Sequence, residues 1–107
     1  MRAITYARVS TGKQAESGLS LDDQAERMGR EISRRGWELV EAHTDAGRSG
    51  RTGKSRPALE AALEALAAGE ADALVVAKLD RLARSTIALS RIMQTSQEQG
   101  WALVILD

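Results

Sequence analysis

Arg8 and Ser10 stand two residues apart at the end of a short β-forming stretch, Ile4 to Ser10. Side chains alternate along an extended chain, so residues two apart share a side. The pair sets a hydroxyl, a potential nucleophile, beside a permanent cation. Asp80-Arg81-Leu82-Ala83-Arg84 holds a second set of polar groups. If that segment is helical, Arg81 and Arg84 at i and i+3 share a face. Arg56 ends a third, basic stretch that also contains Arg48, Arg51 and Lys54. Guanidinium forks bind phosphate oxygens bidentately and keep their charge. Several of them around one hydroxyl suit chemistry at a phosphate, where they also stabilise charge growing in the transition state. Taken singly, each residue has an ordinary reading. A loop serine is usually a cap or turn residue, exposed arginines are usually solvated, Asp80 can simply hold an arginine, and Gln24 reads as a helix surface residue.

The elements that must bring these groups together follow from periodicity. Ile4 to Val9 reads as a first strand, and Ser10 to Lys13 breaks it. Ser20 caps a first helix whose dipole suits Asp22 and Asp23. Its apolar stripe is Leu21, Ala25, Met28 and Ile32, and Gly36 follows its last turn. Gly29 inside this helix suggests close packing, since glycine there costs stability against alanine. Trp37 to Thr44 reads as a second strand, and the Gly- and Ser-rich stretch 45–55 as a loop. Pro57 suits the first position of a second helix. Leu59, Ala62, Leu63, Leu66 and Ala67 would be its buried face, with Gly69 closing it. Ala73 to Ala77 reads as a fully buried strand, Leu79 to Arg84 as a turn or short helical turn. Ser85 caps a third long helix with Leu89, Ile92, Met93 and Ser96 inward, and Trp101 to Leu106 is a fourth strand. Strands alternating with helices predict a three-layer α/β/α fold with a mostly parallel sheet of about four strands. In such sheets ligands sit beyond the carboxyl ends of the strands. Arg8, Ser10, Arg56, Asp80, Arg81 and Arg84 all fall at that edge. Three guanidiniums, those of Arg8, Arg81 and Arg84, should then ring one pocket, with Asp80 as counter-charge.

Composition narrows the classes. The chain has 107 residues, no cysteine and a formal net charge of zero; 43% of residues are hydrophobic and 28% charged. That is ordinary for one small globular domain. Disulfides and thiolate metal sites are excluded, and no apolar run approaches the roughly 20 residues of a membrane span. No signal-peptide core is present either, and an intracellular, cytoplasmic protein is the expectation. Two further chemistries can be weighed. His43, the only histidine, lies near the end of the second strand, but a Ser10–His43 hydrolase lacks the Gly-x-Ser-x-Gly elbow. Gly47 to Ser55 resembles a phosphate-binding loop, yet five residues rather than four precede Gly53-Lys54.

Five motifs occur in order: Tyr6-Ala-Arg-Val-Ser10, Ser20-Leu-Asp-Asp-Gln24, Asp45-Ala-Gly-Arg-Ser-Gly50, Arg56-Pro57 and Leu79-Asp-Arg-Leu-Ala-Arg84. Together they resemble the catalytic domain of the serine recombinases, the resolvase/invertase family, closest to the large serine integrase and transposase branch. The resemblance implies a site-specific DNA recombinase. Ser10 matches the nucleophile that attacks a DNA phosphodiester and forms a 5′-phosphoserine link, followed by strand exchange and religation. Arg8, Arg56, Arg81 and Arg84 match arginines that bind the scissile phosphate. Gln24 and Asp80 match supporting polar positions. The family needs no metal, nucleotide or other cofactor. Its partners are double-stranded DNA and further copies of itself, in dimers and tetramers. Residues 1–107 correspond to the catalytic domain, and the expectation is a truncated one, without the dimerisation helix and DNA-binding region. Loops 11–19 and 46–55 are expected to be mobile without DNA.

Overall fold

The computed structural model of the chain describes residues 1–9, 20–46, 56–83 and 85–106. The side chains of Val9, Ala46, Asp80 and Arg81 fall outside that description. Among the described residues, four strands and four helices follow one another: β1 (Arg2–Val9), α1 (Leu21–Arg35), β2 (Glu38–Ala46), α2 (Pro57–Ala67), β3 (Ala73–Val76), α3 (Leu79–Leu82), α4 (Thr86–Gln99) and β4 (Ala102–Ile105). The strands form one sheet in the order β2-β1-β3-β4, and every pairing is parallel. β1 and β3 are therefore neighbours with their carboxyl ends on one edge, as the alternating pattern predicts.

Strand alternation divides the core between the two faces. Ile4 and Tyr6 of β1 join Leu74 and Val76 of β3 under α2, and Leu59, Ala62, Leu66, Leu82 and Trp101 close that cluster. Ala3 and Ala7 point the other way and join Val75 and Ala77 against Met28 and Ile32 of α1. The sheet residues of this second cluster are small, which leaves room for the helix. Full burial of a side chain such as Met28 or Ile32 contributes about 1.5–3 kcal/mol.

The helix ends follow their local chemistry. Ser20 accepts a hydrogen bond from the Asp23 amide at 3.1 Å, and Ser85 does the same for Ala88 at 3.0 Å. Gly36 ends α1 with φ 73°, a left-handed conformation that glycine adopts without strain. Arg2 ties the opposite edge of the sheet. Its amide donates to Asp72 at 2.8 Å, and its guanidinium reaches Asp72 at 3.3 Å and the Gly69 carbonyl at 2.9 Å.

Five details differ from the periodicity reading. β2 runs on to Ala46, so Asp45 lies on the strand, paired with Arg8, rather than in the loop 45–55. The buried stripe of α1 is Gln24, Met28 and Ile32, while Ala25 is exposed. A polar residue replaces alanine in the core because a backbone partner waits there, as described below. Gly29 has nothing within 4 Å of where a Cβ would stand, so close packing does not explain it. On α2 the buried residue is Ala65 rather than Ala67. On α4 Ser96 is buried, but Met93 is 45% exposed, because α4 lies over the edge strand β4, which is itself only half-buried.

Candidate active site at the carboxyl edge of the sheet

Arg8 pairs in register with Asp45 of β2, whereas the β1–β3 ladder ends two residues earlier, at Tyr6 and Val76. In a parallel strand the N–H and C=O of one residue point to the same side. The Arg2 carbonyl accepts from Asp72 on the β3 side, so alternation aims the peptide groups of Arg8 there too. Gln24 occupies that place. Its Oε1 accepts from the Arg8 amide and its Nε2 donates to the Arg8 carbonyl, both at 3.2 Å. The side chain is fully buried and acts as one further rung of sheet. It fixes the backbone that carries Arg8.

Across the site, Asp45 is 9% exposed and accepts three hydrogen bonds from the described residues. Tyr6 Oη donates to Oδ2 at 2.9 Å, the Ala58 amide to Oδ1 at 3.0 Å and the Leu59 amide to Oδ2 at 3.2 Å. The carboxylate thus caps α2, which starts at Pro57 without a cap from Arg56, its own N-cap residue. The Arg56 side chain goes elsewhere: its Nη1 donates to the Leu82 carbonyl at the end of α3. Leu82 is fully buried, so α3 is held by its side chain in the core and by Arg56 at its carbonyl. Burial drives the Tyr6 phenol pKa far up, the Asp45 hydrogen bond and charge push the same way, and the nearby Arg56 and Arg8 cations oppose it. Both guanidiniums are therefore within electrostatic reach of one buried hydroxyl.

Residues 3–107 match the family model described as the N-terminal domain of resolvase. The chain belongs to the resolvase family of serine recombinases. Solved structures agree. The N-terminal catalytic domain of TP901-1 integrase is 28% identical with a TM-score of 0.79, over 99% of this chain and 77% of that one. A resolvase family site-specific recombinase from Streptococcus pneumoniae is 27% identical with a TM-score of 0.78, over 99% of this chain and 72% of that one. The catalytic domain of ISC1926 TnpA, an IS607-like serine recombinase, is 22% identical with a TM-score of 0.81, over 100% of this chain and 70% of that one. At that identity the likeness speaks for the fold. No curated protein matches the chain significantly.

Of the residues that the resolvase-family resemblance singles out, the structure places Arg8, Gln24 and Arg56 at the carboxyl edge. The backbone of Asp80 and Arg81 lies in α3 at the same edge. Ser10, Arg84 and the side chains of Asp80 and Arg81 lie outside the described residues, as do loops 11–19 and 47–55. Gln24 is not the surface residue that its position on a helix suggests. His43 hydrogen-bonds Glu41 at 2.8 Å. The helix start that a phosphate loop would use is filled: Asp45 takes the Ala58 and Leu59 amides, and the Glu60 amide donates to the Arg56 carbonyl. Among the described residues, no group of His, Asp or Glu could hold a metal ion, and no helix is long and apolar enough to cross a membrane.

The Tyr6–Asp45 pair is what the residue types alone did not single out. Two signals pointed to it. A tyrosine on the inward parity of a buried strand needs a partner for its hydroxyl. A helix opening on Arg-Pro has no local N-cap, so the cap must come from elsewhere in the chain.

Proposed function

We propose that this domain cuts and rejoins DNA at specific sites through a covalent serine intermediate. The Ser10 oxygen attacks the phosphorus of a DNA phosphodiester. The new Ser10 O–P bond replaces the P–O3′ bond, the serine proton leaves, and the departing 3′ oxygen ends as a hydroxyl. Reversal on an exchanged strand restores the phosphodiester, so the phosphoserine link conserves the bond energy. Arg8, Arg56, Arg81 and Arg84 hold the phosphate oxygens and offset the charge that grows on them. Gln24 holds the Arg8 backbone, and Asp80 serves as counter-charge. The observation that carries this reading is that the Arg8 backbone held by Gln24, the Arg56 guanidinium and the α3 turn lie at one sheet edge, with Ser10 two residues beyond Arg8 in the chain. The substrate is double-stranded DNA. The active form is a dimer that joins into a tetramer, working in the cytoplasm on the nucleoid.

The test is a covalent adduct. The recombinase that carries this domain is incubated with fragmented duplex DNA, quenched in denaturant and digested, and the nucleotide-bearing peptide is mapped by mass spectrometry. Attachment at Ser10, and its loss in Ser10→Ala with DNA binding retained, is the expected result. Attachment elsewhere, or cleavage by Ser10→Ala, refutes the proposal. His43→Ala should cleave normally; loss of cleavage there would instead favour a Ser10–His43 pair.

A further inference from the structure

We infer that Asp45, gripped by Tyr6, is the positioning residue that sets Arg56 in place, an inference that rests on the role proposed above for Arg56. Helix α2 begins where a conventional cap is missing. Arg56 stands at the N-cap with φ −137° and ψ 69° and makes no side-chain cap bond. Pro57 has no N–H to offer. The next two amides both donate to Asp45, which reaches them from the end of β2. The cap is thus supplied by another element, and position 56 is released to carry a guanidinium. A serine or aspartate at 56 would cap the helix but would leave nothing to bind the Leu82 carbonyl.

The carboxylate is fixed as firmly as the strand behind it. Tyr6 is fully buried, its backbone is paired with both β2 and β3, and its hydroxyl donates to Asp45 Oδ2. A rigid path therefore runs from the centre of the sheet through the Tyr6 hydroxyl and the Asp45 carboxylate to the first turn of α2. It ends on the Arg56 guanidinium, clamped at its far end by the Leu82 carbonyl. The charges are consistent with this path. Asp45 stands in register with Arg8 and at the start of α2, where the positive end of the helix dipole stabilises its carboxylate. Removing it loosens the helix start that carries Arg56.

The experiment uses the 107-residue chain with ¹⁵N-labelled arginine, as wild type, Asp45→Asn and Tyr6→Phe. The Arg56 guanidinium N–H signals report its bond to Leu82, and amide hydrogen exchange reports the cap. In Asp45→Asn, exchange at Ala58 and Leu59 should quicken about tenfold, the effect of one lost hydrogen bond. The Arg56 guanidinium signals should move to solvent-exchanging values, while amides of β1 and β3 change less than about twofold on the same scale. Tyr6→Phe, which keeps the charge, should shift the Arg56 signals in the same direction by a smaller amount. Faster exchange at Ala58 and Leu59 with unmoved Arg56 signals would make Asp45 a helix cap only and overturn the inference. If Asp45→Asn fails to fold, Tyr6→Phe decides alone, and unmoved Arg56 signals there overturn it equally. A parallel titration of the wild type with inorganic phosphate keeps the two proposals apart. Shifts at Arg8 and Arg56 support the phosphate site. Silence at both counts against the proposed reaction and leaves the guanidinium result to decide the positioning role.

Discussion

Replacing Gln24 by leucine probes the link between the α1 helix and Arg8. The side chains are similar in size and the site is fully buried, so the change removes polarity more than volume. Two hydrogen bonds, to the Arg8 amide and carbonyl, are lost. Each buried peptide group stripped of such a bond costs about 1–3 kcal/mol, and the added apolar surface returns about 1 kcal/mol. The net loss is about 1–5 kcal/mol. At roughly 4–8 °C per kcal/mol for a domain near this size, the midpoint of thermal unfolding should fall by about 4–40 °C. Gln24→Glu gives an independent check through pH. A protonated glutamic acid can both donate and accept at Arg8, whereas the carboxylate can only accept. Burial raises its pKa in the folded state above the unfolded value of about 4.3. Stability is then retained below that pH and lost as pH rises from there to the folded pKa. Circular dichroism melts of both variants between acid and neutral pH measure the effect. A fall of less than about 4 °C for Gln24→Leu, equivalent to under 1 kcal/mol, would refute the rung assigned to Gln24.

Tyr6 is the only tyrosine, so alkaline titration at 295 nm reads it alone. With burial and Asp45 pushing its pKa up, no phenolate should form near pH 10, roughly the ordinary midpoint. Stability due to the buried phenol is kept below that pH and lost above it, so ionisation should coincide with unfolding, and Asp45→Asn should lower the apparent midpoint. A reversible step near pH 10 in the folded protein would contradict the buried pair. Gly29→Ala adds a methyl into open space in mid-helix and should stabilise by about 0.5–1 kcal/mol, raising the unfolding midpoint roughly 3–6 °C; a drop would mean that the site is not open. Hydrogen bonds from Arg34 and Arg35 hold the Glu31 carboxyl down at about 2, so its ¹³C signal should titrate there rather than near the usual value of about 4.3. Asp72 should also titrate low, because the Arg2 amide and guanidinium bind its ionised form, and what it adds to stability should vanish only as pH falls through its depressed midpoint.

How far the sequence reaches depends on the range of the interaction. Ser20, Ser85, Pro57 and Gly36 mark helix ends because capping and φ preference act within one turn. The apolar run Ala73 to Val76 reads directly as a buried strand, because burial on both faces removes the need for polar residues. Strand and helix alternation determines the parallel sheet, and five short motifs in order determine the family. Helical periodicity misses the burial of Gln24 for the opposite reason. Its helical neighbourhood predicts a surface position, and only the end of the β3 ladder two residues short of Arg8 creates the peptide groups that it satisfies. Tyr6 and Asp45 lie 39 residues apart, and nothing local relates them. Their contact exists because β2 and β1 align in parallel and bring the start of α2 over the pair. The sequence by itself determined which residues could do chemistry and on which elements they sit. The tertiary structure alone decided which carboxylate caps α2, which amide completes the edge of β1, and that Arg56 turns to α3, since each is a hydrogen bond between elements whose nearness only the assembled sheet creates.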